Sequence, residues 1–88
     1  MEFKGTKGNW EVTYTCELET SIACGDLRIA EAKHYETLND PIEKEGKANA
    51  KLIAAAPDLL EALQSILLNG HSKKSILKAE KALIKALN

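Results

Sequence analysis

The sixteen residues ANAKLIAAAPDLLEAL, Ala48 to Leu63, decide the fold of this chain. An alanine-rich apolar run reads as helix, yet it carries an amide at Asn49 and a proline at Pro57. Inside a helix the proline ring clashes with the carbonyl four residues back, whereas in the first turn of a new helix its missing N–H costs nothing. The run therefore divides near 56–57 into two helices, with Asp58 at the positive end of the second. Asn49 shares a helical stripe with Ile42, Leu52, Ile53 and Ala56, a face expected to be buried. An unpaired amide there costs about 1–3 kcal/mol. Its partner is either a backbone group at a strand end or a ligand or second subunit at the sheet–helix junction.

Upstream, Asp40-Pro41-Ile42-Glu43 combines an N-cap acid, a proline at the first helical position and a glutamate at the third, so the first helix starts there and runs to about Ala55. Gly46 weakens it by about 1 kcal/mol relative to alanine, and marks either the close approach of another backbone or a plain surface position. Further upstream, Trp10, Val12, Tyr14, Cys16 and Leu18 alternate with polar residues, the period of a strand with one covered face. A short second strand follows around Ser21 to Cys24, Gly25-Asp26 suits a tight reversal, and Leu27 to Tyr35 forms a third strand with less clean alternation. Residues Met1 to Asn9 read as a loose lead-in.

Downstream, Leu59, Leu60, Leu63, Ile66 and Leu67 make an apolar stripe that stops at Asn69-Gly70, a left-handed C-cap. Ser72 caps a last helix, Lys73 to Leu87, whose stripe is Ile76, Leu77, Leu83, Ile84 and Leu87 among lysines that read as a solvated face. The expected architecture is α+β. One domain, 1–88, holds a small N-terminal antiparallel sheet of about three strands (a meander over 10–35) packed by two or three C-terminal helices (41–87), with a turn near 69–72.

At 88 residues with 44% hydrophobic but only 5% aromatic content, the core is built from Leu, Ile and Ala and is marginal alone. The helices offer more aliphatic stripe than a three-stranded sheet covers, so a homo-oligomer is expected. A net charge of −1 argues against duplex nucleic acid as the main partner. Of twelve basic residues only Arg28 is an arginine, which makes it the one bidentate fork for phosphate or carboxylate. Cys16 and Cys24 do not form a C-x-x-C pair and are not spaced with His34 and His71 as zinc ligands, so no metal is expected. They read as two buried thiols or, less simply, a disulfide. No run reaches the roughly 20 apolar residues of a membrane helix, and the lead-in is too polar for a signal peptide, which suggests the cytoplasm.

No nucleophile–base pair and no Gly-rich phosphate cradle stand out, and no cofactor is implied, so an enzyme is not expected. Trp10 is a core anchor or, at a sheet edge, a stacking platform. His34 lacks a paired Ser or Cys.

Two motifs together resemble those of a large group of small phage and prophage proteins. The lead-in G-x-x-G-N-W-E-V, Gly5 to Val12, is similar to that group's G-P-W-x-V start, with Asn9 in place of its proline. The opening run is similar to its signature A-N-A-(K/R)-L-I-A-A-A-P-(D/E)-L-L-E-A-L. Some phage proteins of similar layout are counter-defence sponges of the Thoeris anti-defence kind, which bind cyclic nucleotide signals without turning them over. The resemblance implies a phage accessory protein of the bacterial cytoplasm that binds stoichiometrically, in its most concrete form a cyclic nucleotide or ADP-ribose-type ligand held between subunits. Asn49 would then read base or ribose, Arg28 would grip phosphate, and Trp10 or Tyr35 would stack. The alternative is an inhibitor that docks on a host enzyme through its helical face.

Overall fold

The computed structural model describes residues 2–16, 19–33 and 41–88. Three strands, β1 (Glu11–Cys16), β2 (Glu19–Cys24) and β3 (Leu27–Lys33), precede three helices, α1 (Pro41–Ala54), α2 (Ala56–Asn69) and α3 (Lys73–Leu87). The strands form an antiparallel sheet in the order β1-β2-β3. The reversal between β2 and β3 is two residues long, since Cys24 pairs with Leu27, and Gly25 supplies its positive φ of 59°. These elements match the expected α+β layout; Tyr35, His34 and the cap residue Asp40 lie outside the described residues.

Cross-strand pairs share a face, which sorts the sheet by row. Val12, Ile22 and Ala30 stand in one row on the side that α1 covers. Thr13, Ser21 and Glu31 make the next row and turn the opposite way. The register slips between Ile22 and Ala23, where Ile29 is the extra residue of β3 and Arg28 rather than Ile29 opposes Ala23. The slip explains the broken alternation in this strand. It also leaves Arg28 on the outer face beside Glu31.

Among the described residues only α1 packs on the sheet; α3 lies against α1 and α2, and the α2–α3 hairpin makes no close packing with the described strands. The core under α1 is Ile22 set among the small residues Ala32, Ala50 and Ala54, flanked by Trp10, Val12, Ala30 and Ile53. The expectation that Asn49 faces the sheet is corrected here. Asn49 is exposed, and so are Leu52 and Ala56, because α1 turns Gly46, Ala50, Ile53 and Ala54 inward instead. A helix seats closest on a pleated sheet where its side chains are shortest, so the Gly46-Ala50-Ala54 row decides the rotation and the larger Leu52 is turned out. Gly46 is buried, as the close-approach reading requires.

The proline division is a kink rather than a gap. The axes of the two helical segments meet at 49°, with Pro57 in the first turn of α2 and the ladder carried across by bonds from Ala55 N–H to the Lys51 carbonyl (3.0 Å) and from Leu59 N–H to the Ala55 carbonyl (2.9 Å). α2 ends at Gly70 (φ 64°), whose N–H returns to the Ile66 carbonyl at 2.8 Å. Ser72 caps α3 by accepting from the Ser75 N–H at 3.2 Å.

The lead-in is pinned where looseness was expected. Trp10 Nε1 donates to the Thr6 carbonyl at 3.1 Å, and its ring meets Phe3 tilted at a centroid distance of 6.5 Å. Cys24, a free thiol, donates to the Lys7 carbonyl at 3.6 Å. Gly8 passes over that thiol with φ 126°, and a Cβ there would lie 2.9 Å from Cys24 Sγ, so both the backbone and the space call for glycine.

Candidate functional site

The residues singled out for ligand binding do not converge within one protomer. Trp10 packs at the edge of the core on the α1 side of the sheet. Arg28 stands on the opposite sheet face, where its guanidinium donates to Glu31 Oε1 at 2.8 Å. Asn49 is on the exposed side of α1, and Tyr35 lies outside the described residues. With its fork on Glu31 and the sheet between it and the indole, Arg28 does not form a phosphate–base clamp with Trp10 inside one protomer.

Several grooves flank α2, and two of them reach its first turn at Asp58. One, of about 370 Å³, runs between the lead-in and the start of α2, with Phe3, Thr6, Pro57, Leu60 and Gln64 along it. The other, of about 290 Å³, is charged but largely self-neutralised. There Lys78 pairs with Glu61 at 3.0 Å, and Lys85 bridges Asp58 Oδ2 and Asn9 Oδ1, each at 2.8 Å. These partly exposed pairs tie α3 to the start of α2 and to the lead-in, and each contributes about 0–1 kcal/mol. Among the described residues no three His, Cys, Asp or Glu side chains stand close enough together to hold a metal ion.

The dominant surface feature is the α2–α3 hairpin. Its seam is built from small side chains, Ala62 and Ser65 against Ser75 and Ala82, all buried. At its closed end Ser65 and Ser75 share a hydrogen bond of 2.8 Å, and Ser72 donates to Ser75 at 3.0 Å. The helices were expected to carry more aliphatic stripe than the sheet covers, and apart from the half-buried Leu59 and Ile66 the stripes of α2 and α3 are exposed. Leu63 is 66% exposed, Leu67 70%, Ile76 43%, Leu83 50% and Leu87 77%.

Helical geometry says where those side chains go. At about 100° per residue, the stripe of α2 lies roughly 120° around from Ala62 and Ser65, and that of α3 is similarly offset from Ser75 and Ala82. The pairs Ser65–Ser75, Glu61–Lys78 and Asp58–Lys85 show the two helices to be antiparallel. In an antiparallel pair equal offsets of this sense turn both stripes to the same side of the hairpin. The ion pairs line the other side. The hairpin is thus a two-sided slab, mainly apolar on one side and mainly charged on the other, where Leu68, seven residues on from Glu61, is exposed among the charges.

The serine seam escaped sequence reasoning because Ser65 and Ser75 look like interruptions of the stripes. The readable signal was the spacing of small residues, Ala62 with Ser65 and Ser75 with Ala82 and Ala86. Substituting Ser75 by alanine strands the Ser65 hydroxyl in a buried seam and is expected to cost about 1–3 kcal/mol. The Ser65→Ala/Ser75→Ala double variant is expected to lose less than the sum of the two single variants. Urea denaturation of the four proteins measures this directly, and additive losses would mean that the hydroxyls are not coupled.

No curated protein and no solved structure matches the chain. The whole of it, residues 1–88, matches the family described as Salmonella phage P22 protein Y8K6. A short sheet with one helix on it, and a hairpin that turns its leucines outward, is therefore the architecture of a small phage protein: the chain belongs to the Salmonella phage P22 protein Y8K6 family.

Proposed function

We propose that this phage protein is an accessory factor that acts by stoichiometric protein binding rather than by turning a substrate over, and that the apolar side of the α2–α3 hairpin is its docking surface. The observation that carries this reading is the exposure of the hairpin leucines while alanines and serines fill the seam. A helical pair that contributes mainly to its own fold buries its largest side chains; one that presents them holds them for a partner.

Sequestration of a cyclic nucleotide or ADP-ribose-type signal, the more specific expectation drawn from the layout of Thoeris-type sponges, has less support. Arg28, Asn49 and Trp10 stand on different faces of the protomer, so a nucleotide site would have to draw them from two subunits.

The test is affinity capture from a bacterial host, with native mass spectrometry, of the wild type and of a Leu63→Lys/Leu83→Lys variant. The wild type is expected to retain a protein partner at fixed stoichiometry, a copy of itself or a host protein, and the variant to lose it while keeping its helical circular dichroism. Isothermal titration with cyclic nucleotides and ADP-ribose isomers is expected to give no heat. A wild type that stays alone, or a nucleotide that binds at fixed stoichiometry, would overturn the reading.

A further inference from the structure

We infer that the occupant of the hairpin's apolar side is a second copy of this chain, held in register by reciprocal pairs between Lys73 of one copy and Glu80 of the other; this rests on the docking reading above and names its partner. The argument begins with α3. Lys73, Glu80 and Leu87 recur every seven residues, with Ile76 and Leu83 between them, the spacing of a helix that packs along a seam. Two members of that series are charged, of opposite sign, and both are exposed. Neither makes an ion pair among the described residues, whereas Lys78 and Lys85 on the other side of the hairpin both do.

A carboxylate in the middle of an apolar surface constrains what is able to cover that surface. A wholly apolar partner would bury Glu80 without a counter-charge, at a cost that outweighs the contact. A second copy brings the counter-charge on the same stripe. Two-fold symmetry then makes the pair twice, since whatever Glu80 meets on the partner, the partner's equivalent residue meets in return.

Area points the same way. The exposed leucine and isoleucine side chains of α2 and α3 present on the order of 600 Å² of apolar surface, the upper end of the largest patch on an ordinary monomer. Covering this on two copies buries about 1,200 Å² in all, the lower bound of a specific stable interface. A single charged residue placed on a seam position is also the usual device for fixing register in helical assemblies.

Light scattering and sedimentation of the purified full chain test this, with Glu80→Lys, Lys73→Glu and the exchanged pair Lys73→Glu/Glu80→Lys. The wild type is expected at twice the protomer's 9.6 kDa. Each single variant, which sets like charges opposite each other, is expected to weaken association by about tenfold or more, and the exchanged pair to regain it. These positions are exposed, so circular dichroism is expected to be unchanged throughout. A wild type at 9.6 kDa over the whole concentration range would overturn the inference, as would single variants that associate like the wild type. If the chain alone is a monomer but a host protein is captured through Leu63 and Leu83, the docking reading stands and this inference falls. If nothing is captured either, both fall.

Discussion

Ile22→Ala is expected to lower the melting temperature by about 10–30 °C, the largest loss of any single truncation in the chain. Ile22 is the central residue of the central strand, wholly buried between Val12 and Ala30 under α1, and it is the largest fully buried side chain among the described residues. Its buried neighbours Ala32, Ala50 and Ala54 have no side chain to swing into the space, and Trp10, Val12 and Ile53 stand only at the edge of the core. The cavity therefore stays open, and truncation costs about 2–5 kcal/mol. A domain of this size has a total stability of about 5–15 kcal/mol, so that loss removes a large share of it. Thermal melts by far-ultraviolet circular dichroism at one fixed protein concentration measure the shift, and Trp10 fluorescence reports the same core independently. A change of less than about 3 °C would mean that Ile22 is not the centre of the packing.

The second large effect concerns the rotation of α1. Ala50→Leu is expected to destabilise by about 1–3 kcal/mol, because Ala50 is fully buried where helix and sheet approach most closely and three added carbons have nowhere to go. Asn49→Leu, one residue away, is expected to lie within about 0.5 kcal/mol of the wild type, since Asn49 is exposed. The two substitutions place the same side chain at adjacent positions; helix propensity favours the change at Asn49 over that at Ala50 by about 0.5 kcal/mol, so a difference beyond that reports orientation. Guanidinium denaturation of both is sufficient. Equal losses, or a larger loss at Asn49, would restore the buried-amide reading.

What could be read from the sequence was whatever local chemistry dictates. The strand from Trp10, the reversal at Gly25-Asp26, the helix start at Pro41, the kink at Pro57, the stop at Gly70 and the cap at Ser72 all follow from rules about single residues and their immediate neighbours, and the structure has each of them, although the alternation of the first strand breaks between Tyr14 and Cys16. What could not be read was how the elements face one another. The amphipathic reading of α1 ranked positions by hydrophobicity and chose Leu52, whereas the contact with the sheet selects for shortness and chooses Ala50 and Ala54. The same inversion recurs in the hairpin. Its leucine stripes were legible as stripes, but that they are left uncovered depends on Ser65 and Ser75 joining at the seam, a pairing between two helices that no spacing within either one reveals.

That the candidate ligand residues do not meet within one protomer has a related reason. Arg28 was chosen as the only guanidinium, and its binding to Glu31 depends on a one-residue slip at Ile29 that shifts it onto Glu31's side of the sheet. Register slips are set by pairing across strands, and the less clean alternation of Leu27 to Tyr35 marked this one without saying where it fell or which face Arg28 would take. Glu80, by contrast, was visible as the one acid interleaved among the lysines of the last helix, and its weight became apparent only once its neighbours on the stripe were found facing outward.

The alanine and serine seam has a wider consequence. Because the smallest residues set the shape of the hairpin, the bulky ones are released from any duty to the monomer. A lineage is then free to exchange Leu63, Leu67 or Leu83 for other residues and so acquire new associates, while the scaffold beneath keeps its form.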